Sequence, residues 1–224
     1  MKILVFLVML TVCAATPQDL SGKMFIFPEE TNTAQVKIET STENFSAVTI
    51  CLRAFTDLAR NHALFSLSTP SSANDFLIFK RTVADEIQLH IKNTFQNVRG
   101  LEYKPNTWHA VCATWDAVSG LGQLWLDGKS SVKRFFSSES NIMGTTVITL
   151  GQEQDNHGGG FDSKQSFVGM LADVNLWNYV LSPCEIHDYT DGLNFTPGNV
   201  VNWRALEFEI IGRVLLENKQ VNCD

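Results

Sequence analysis

Short segments in which apolar and polar residues take turns run through most of the chain: QVKIE at 35–39, AVTICLRAF at 47–55, DFLIFKR at 75–81, EIQLHIK at 86–92 and WHAVCATW at 108–115. A repeat of two fits a strand with one buried face and fits no helix, because successive strand side chains point to opposite sides. The same segments are rich in Val, Ile, Phe and Thr, which pack well on a pleated surface. In GQLWLDGKSSV at 122–132, Asp127-Gly128 between Leu126 and Lys129 reads as a two-residue hairpin turn. TTVITLGQE and SFVGMLADVNLWNYVL supply further strands. Strands of this length and spacing predict an all-β fold, a two-sheet jelly-roll sandwich. One short helix is expected, with Ser182 as N-cap, Pro183 in its first turn, Glu185 completing a capping box and Gly192 as the stop.

The first fifteen residues have the layout of a secretory signal: Lys2, an apolar run from Ile3 to Val12, and small residues ending at Ala15, after which cleavage is expected. The run is too short to span a bilayer, so the chain is expected to be exported and soluble, without membrane insertion. Residues 16–224 read as one domain, since no Pro, Gly or Ser-rich linker and no charge run divides them. Acidic residues outnumber basic ones by 24 to 17 without any basic cluster, which argues against nucleic acid or anionic lipid as a direct electrostatic partner. With Cys13 in the leader, Cys51, Cys112, Cys184 and Cys223 predict two disulfides, and three pairings are open. Asn44-Phe45-Ser46 and Asn194-Phe195-Thr196 are acceptor sequons for N-glycosylation.

The stretch LGQEQDNHGGGFDSKQ at 150–165 carries Glu153, Asp155 and Asp162 around three consecutive glycines. Calcium takes its oxygens from carboxylates, amides and main-chain carbonyls, and Glu153-Gln154-Asp155 offers such a set. Asp162 and Gln165 can return to it if Gly158, Gly159 and Gly160 fold the loop back. Like charges brought together repel, so a cation gives the arrangement a reason. An EF-hand begun at Asp155 fails, because Ser166 stands where its bidentate Glu is needed. Two alternatives compete: a jelly-roll glycoside hydrolase and a metal-free adhesion module. The hydrolase lacks its further carboxylate, position 158 being Gly, and neither a G-x-S-x-G nor an H-E-x-x-H motif occurs.

Six blocks in order, FIFP, WHAVCATW, LWLDGK, LGQEQD, VLSPCEI and NWRAL, resemble those of the short pentraxin family across the whole mature chain. The resemblance implies a concanavalin-like jelly roll, secreted, without catalytic activity, in a flat cyclic homo-oligomer that is usually a pentamer. It implies two calcium ions per subunit, with Glu153, Asp155, Asp162 and Gln165 as side-chain ligands and Gln154 giving its main-chain carbonyl. The remaining ligands fall on Ala73-Asn74, where the family has Asp-Asn; Asp75 follows at once and substitutes only if the loop shifts. Leu77 and Phe79 match an apolar pocket beside the metal, in which choline methyl groups rest. The stretch Asn93 to Asn97 lacks the glutamate that attracts choline, which leaves phosphocholine, phosphoethanolamine and other phosphate-bearing ligands open. Cys51 and Cys112 match the family disulfide. Cys184 and Cys223 lie outside that pattern, as an intrachain tie between tail and helix or a bond between subunits. Asp127 matches a position for complement binding, although Thr190 replaces its tyrosine neighbour. The implied function is calcium-dependent pattern recognition in innate immunity, in which weak sites gain avidity on repetitive microbial or damaged surfaces.

Overall fold

A computed structural model describes residues 16–83 and 85–219. The segment read as a signal, residues 1–15, and Cys223 lie outside them, so the pairing of Cys184, which is exposed, is not described either. Among the described residues no helix is long and apolar enough to cross a membrane.

Two antiparallel sheets form the jelly roll. The first runs Lys129–Ser130, Leu121–Leu126, His109–Asp116, Ala47–Phe55, Gly169–Trp177, Lys23–Phe27, Leu215–Asn218, with Arg134–Phe135 also paired to Leu121–Leu126. The second runs Phe208–Ile211, Gln35–Ile38, Val147–Leu150, His62–Thr69, Ser72–Lys80, Glu86–Ile91, Thr94–Arg99. Alternation decides what each strand contributes. From Ala47–Phe55, Val48, Ile50, Leu52 and Ala54 enter the core between the sheets, while Cys51 joins a smaller cluster on the outer face. From Ser72–Lys80, Phe76 and Ile78 point inward, whereas Leu77 and Phe79 form a separate outer cluster with Ala63. Each sheet therefore carries one apolar patch on its outside.

On the first sheet the patch is roofed by the helix α1, Pro183–Thr190. Its capping box forms as the sequence predicts: the Glu185 N–H donates to Ser182 Oγ (3.3 Å), and the Ser182 N–H donates to Glu185 Oε2 (2.8 Å). Ile186 and Tyr189 bury against Trp177 and Trp125, and the Cys51–Cys112 disulfide joins directly opposed residues beneath them. The Asp127-Gly128 turn has positive φ at both residues, 51° and 76°, as a type I′ hairpin demands. Asp127 also holds the neighbouring strand, its Oδ1 accepting from the Ala110 N–H and its Oδ2 lying 2.6 Å from His109 Nδ1.

One expected boundary moves. The strand expected to start at Asp75 begins at Ser72, so Ala73, Asn74 and Asp75 belong to a hydrogen-bonded hairpin rather than to a preceding loop. Their carbonyls are engaged too, since Lys92 and Asn93 donate to Asp75 O and Asn74 O.

His62, wholly buried, packs edge-on against Phe167 with ring centroids 5.8 Å apart. Its Nδ1 lies 2.9 Å from Arg60 O, and Nε2 has no partner. Burial, reinforced by the charges of Lys80 and Arg60, lowers its pKa from 6.5 to about 4, against the main-chain hydrogen bond that favours the cation. A folded-state value below the unfolded one means that the unfolded chain takes the proton first. Stability contributed by neutral His62 is then whole above pH 6.5 and lost as pH falls towards 4, a loss of about 3 kcal/mol. Urea unfolding of the wild type and His62→Gln between pH 7 and 4 checks this, because carboxylates titrating in the same window cancel in the difference. The wild type is expected to lose about 3 kcal/mol more than the variant; parallel curves would refute the assignment.

Candidate cation and ligand site

The acidic loop leaves Val147–Leu150 and is fastened to its neighbours by Gln154. The side chain of this residue is fully buried: its Oε1 accepts from Ser68 Oγ (2.7 Å) and the Gly158 N–H (2.9 Å), and its Nε2 donates to Ser66 Oγ (3.1 Å) and Val147 O (3.1 Å). With both ends of its amide in use, Gln154 can offer a cation only its main-chain carbonyl. The loop then doubles back through paired Asn156 and Gly159. Gly160 (φ 77°) leaves no room for a side chain, since a Cβ there would lie 2.7 Å from Asn156 Nδ2 and 2.8 Å from Asp155 Cβ. Asp162 caps the turn Ser163–Gln165 by accepting from the Lys164 N–H at 2.9 Å, and Arg60 ties the turn down through Ser166 O (2.6 Å).

Within the loop Glu153 is only 5% exposed. Burial raises the Glu153 pKa from 4.5 to about 6; the Asp155 charge adds to this, the Asn74 amide works against it, and Asp162 adds a smaller push. Two buried oxygens here lack any partner, Oε2 of Glu153 and Oδ1 of Asn74. A buried acceptor left unpaired is costly, and a hard cation between the two would satisfy both. Among the described residues, no three Asp, Glu, His or Cys side chains stand close enough to hold a metal by themselves. The donor set that fits calcium is mixed, with amide and carbonyl oxygens beside carboxylates that repel one another when no cation is present.

Leu77, Phe79, Glu153, Asp155 and Gln165 line one cleft of about 160 Å³, which Arg81, Gln88 and His90 complete. The register supplies the last two, because Leu77 pairs with His90 and Phe79 with Gln88. The His90 ring lies 5.3 Å from that of Phe95, tilted by 31°, and burial, with the Arg81 charge, holds its pKa down to about 4. Asp75 does not line the cleft: its carboxylate accepts from Thr69 Oγ1, and burial raises its pKa. Its ladder contacts hold it there, so the shift that would make it a ligand is opposed by the hairpin. Sequence reasoning passed over Arg81, Gln88 and His90, although counting by two from Leu77 and Phe79 reaches Arg81. Both sequon asparagines are exposed, and Asn44 accepts from Asn141 Nδ2 at 2.8 Å.

The sequence profile of the Pentaxin family matches residues 23–218, almost all of the described chain. The chain belongs to the pentraxin family. Among its relatives, serum amyloid P-component of Rattus norvegicus is 42% identical over 203 residues, covering 89% of this chain and 86% of the relative. C-reactive protein of Sus scrofa is 38% identical over 203 residues, with coverage of 89% and 88%. Among solved structures, a native heptameric SAP-like pentraxin from Limulus polyphemus superposes with a TM-score of 0.82 at 20% identity, covering 89% of this chain and 96% of that one. As a pentraxin, the protein is a non-enzymatic recognition protein, which removes the hydrolase reading. Its helix and its acidic loop lie on opposite sheets of the pentraxin jelly roll.

Proposed function

We propose that the protein is a secreted, calcium-dependent pattern-recognition protein of innate immunity that binds phosphate-bearing ligands on microbes or damaged membranes. The observation that carries this reading is the pair of partnerless buried oxygens, Glu153 Oε2 and Asn74 Oδ1, beside a cleft floored by Leu77 and Phe79. Glu153, Asp155, Asp162, Gln165, the Gln154 carbonyl and Asn74 would hold calcium, two ions per subunit by family resemblance, with Asp75 the least available of the set. Bound there, calcium supplies a hard positive centre with coordination left over for phosphate oxygens. This chain's own part is to keep the carboxylates gathered, to shield one side of the ligand with Leu77 and Phe79, and to exclude water from that side.

A single site of this kind is weak, and several facing one way on a ring gain strength on a repetitive surface. A cyclic homo-oligomer is the expected assembly; the family resemblance favours a pentamer, and the Limulus relative is a heptamer. Complement recruitment would run through the helix side, where Asp127 holds its own hairpin.

Chelation tests the reading. The protein should bind phosphoethanolamine-coupled beads in millimolar calcium and leave them in EDTA, and Asp155→Asn should weaken calcium and bead binding together. Retention in EDTA, or an Asp155→Asn protein that loses calcium but keeps the beads, would separate ligand from metal and sink the shared site.

A further inference from the structure

We propose that Arg81 is a second, cationic pole of the cleft and selects phosphate ligands that also carry a carboxylate. The proposal rests on the calcium-dependent phosphate site proposed above and names its ligand class.

Arg81 follows Leu77 and Phe79 at intervals of two, so it continues the outer face of their strand about 13 Å beyond Leu77. It lines the same cleft as Glu153 and Asp155. Its Nε is buried and makes no hydrogen bond, and among the described residues no carboxylate pairs with its guanidinium. Neighbouring cations are occupied: Arg60 pairs with Glu30, Lys80 donates to the carbonyls of Arg81 and Val83, and Lys92 reaches Ser140. Arg81 is thus a charge held at the cleft with its donors unspent, and after burial its charge is the further cause that disfavours protonation of His90.

A guanidinium presents a planar fork of donors that fits a carboxylate with two parallel bonds. Beside the apolar floor of Leu77 and Phe79, such a pair is less screened than on open surface. A quaternary ammonium in the same place would meet a like charge and find no carboxylate other than those set for the cation. The cleft's small volume suits a compact molecule with the two acidic groups close together, as in a phosphorylated hydroxy-amino acid. The same chemistry occurs free and as the headgroup of a serine phospholipid.

Matched ligands differing only by the carboxylate test this. In calcium, O-phosphoserine is expected to bind the intact oligomer roughly tenfold more tightly than O-phosphoethanolamine by calorimetry, the worth of one charge-assisted pair. Phosphatidylserine vesicles should likewise outbind phosphatidylethanolamine vesicles if the headgroup presents the pair in reach, and a gain on either carrier supports the proposal. In Arg81→Gln both ratios should fall to about one, and Arg81→Lys should restore part of the gain, with circular dichroism confirming the fold. Equal binding of the matched ligands by the wild type on both carriers, or a gain that survives Arg81→Gln, overturns the role of Arg81 while leaving the phosphate site intact. No calcium-dependent binding of any of these probes would overturn the site and this proposal together.

Discussion

In the Glu153→Gln protein, calcium affinity falls by about two orders of magnitude or more, while the metal-free fold becomes more stable at pH 7 by about 2 kcal/mol. The two changes share one cause. Glu153 is nearly buried, faces the charges of Asp155 and Asp162, and has an oxygen without a partner, so burial and repulsion lift its pKa to about 6. An acid with a raised folded-state pKa stabilises the fold below its unfolded value, near 4.5, and that contribution is lost as pH rises through 6. At pH 7 the wild type has lost it, and a neutral glutamine has not. The stability gain should therefore vanish below pH 4.5, where both side chains are uncharged. Calorimetric calcium titration and urea unfolding in EDTA at pH 7 and 4 measure both halves. A variant that still binds calcium normally, or that is less stable than wild type without metal, would show that Glu153 is an ordinary buried acid.

Replacing Cys51 and Cys112 together by alanine is expected to remove about 4 kcal/mol of stability, the chain-entropy worth of a bridge between residues 61 apart. For a chain of this size that lowers the melting temperature by roughly 10 °C. The bridge joins the central strands of the first sheet beneath α1, whereas the acidic loop is fastened to the second sheet by Gln154. Calcium binding by the folded fraction should consequently survive. Chemical unfolding of the oxidised and alanine proteins measures the first effect and calorimetry the second. A loss under about 1 kcal/mol would mean that the unfolded chain gains little freedom when the bridge is removed.

Period two located strands whose sequence alternates, even His109–Asp116, which is buried at seven of its eight positions. His62–Thr69 is buried throughout as well, and a register shift between Ala63 and Phe65 sets the apolar pair Leu64-Phe65 side by side and breaks its period. Phe208–Ile211 and Leu215–Asn218 fail for a different reason, being exposed or half-exposed along their length on the sheet edges. Capping chemistry is local, and α1 was legible to the residue at its N-terminus. At the site, composition identified the carboxylates and glycines, but not that Gln154 spends its side chain on Ser66 and Ser68, which are distant in sequence. Asp75 illustrates the same limit: its neighbours in sequence suit a ligand, and its place in a hairpin turns it to Thr69.

Gln154 also bears on which ion the proposed site would accept. Its amide is held by Ser66, Ser68 and the Gly158 N–H, so the loop has its shape without a cation. Calcium tolerates irregular shells with longer bonds, whereas magnesium demands a compact octahedron and surrenders its water reluctantly. In the proposed calcium site a cradle so braced would favour the larger ion through stiffness, and discrimination between the two would begin with buried serines outside the proposed ligand set.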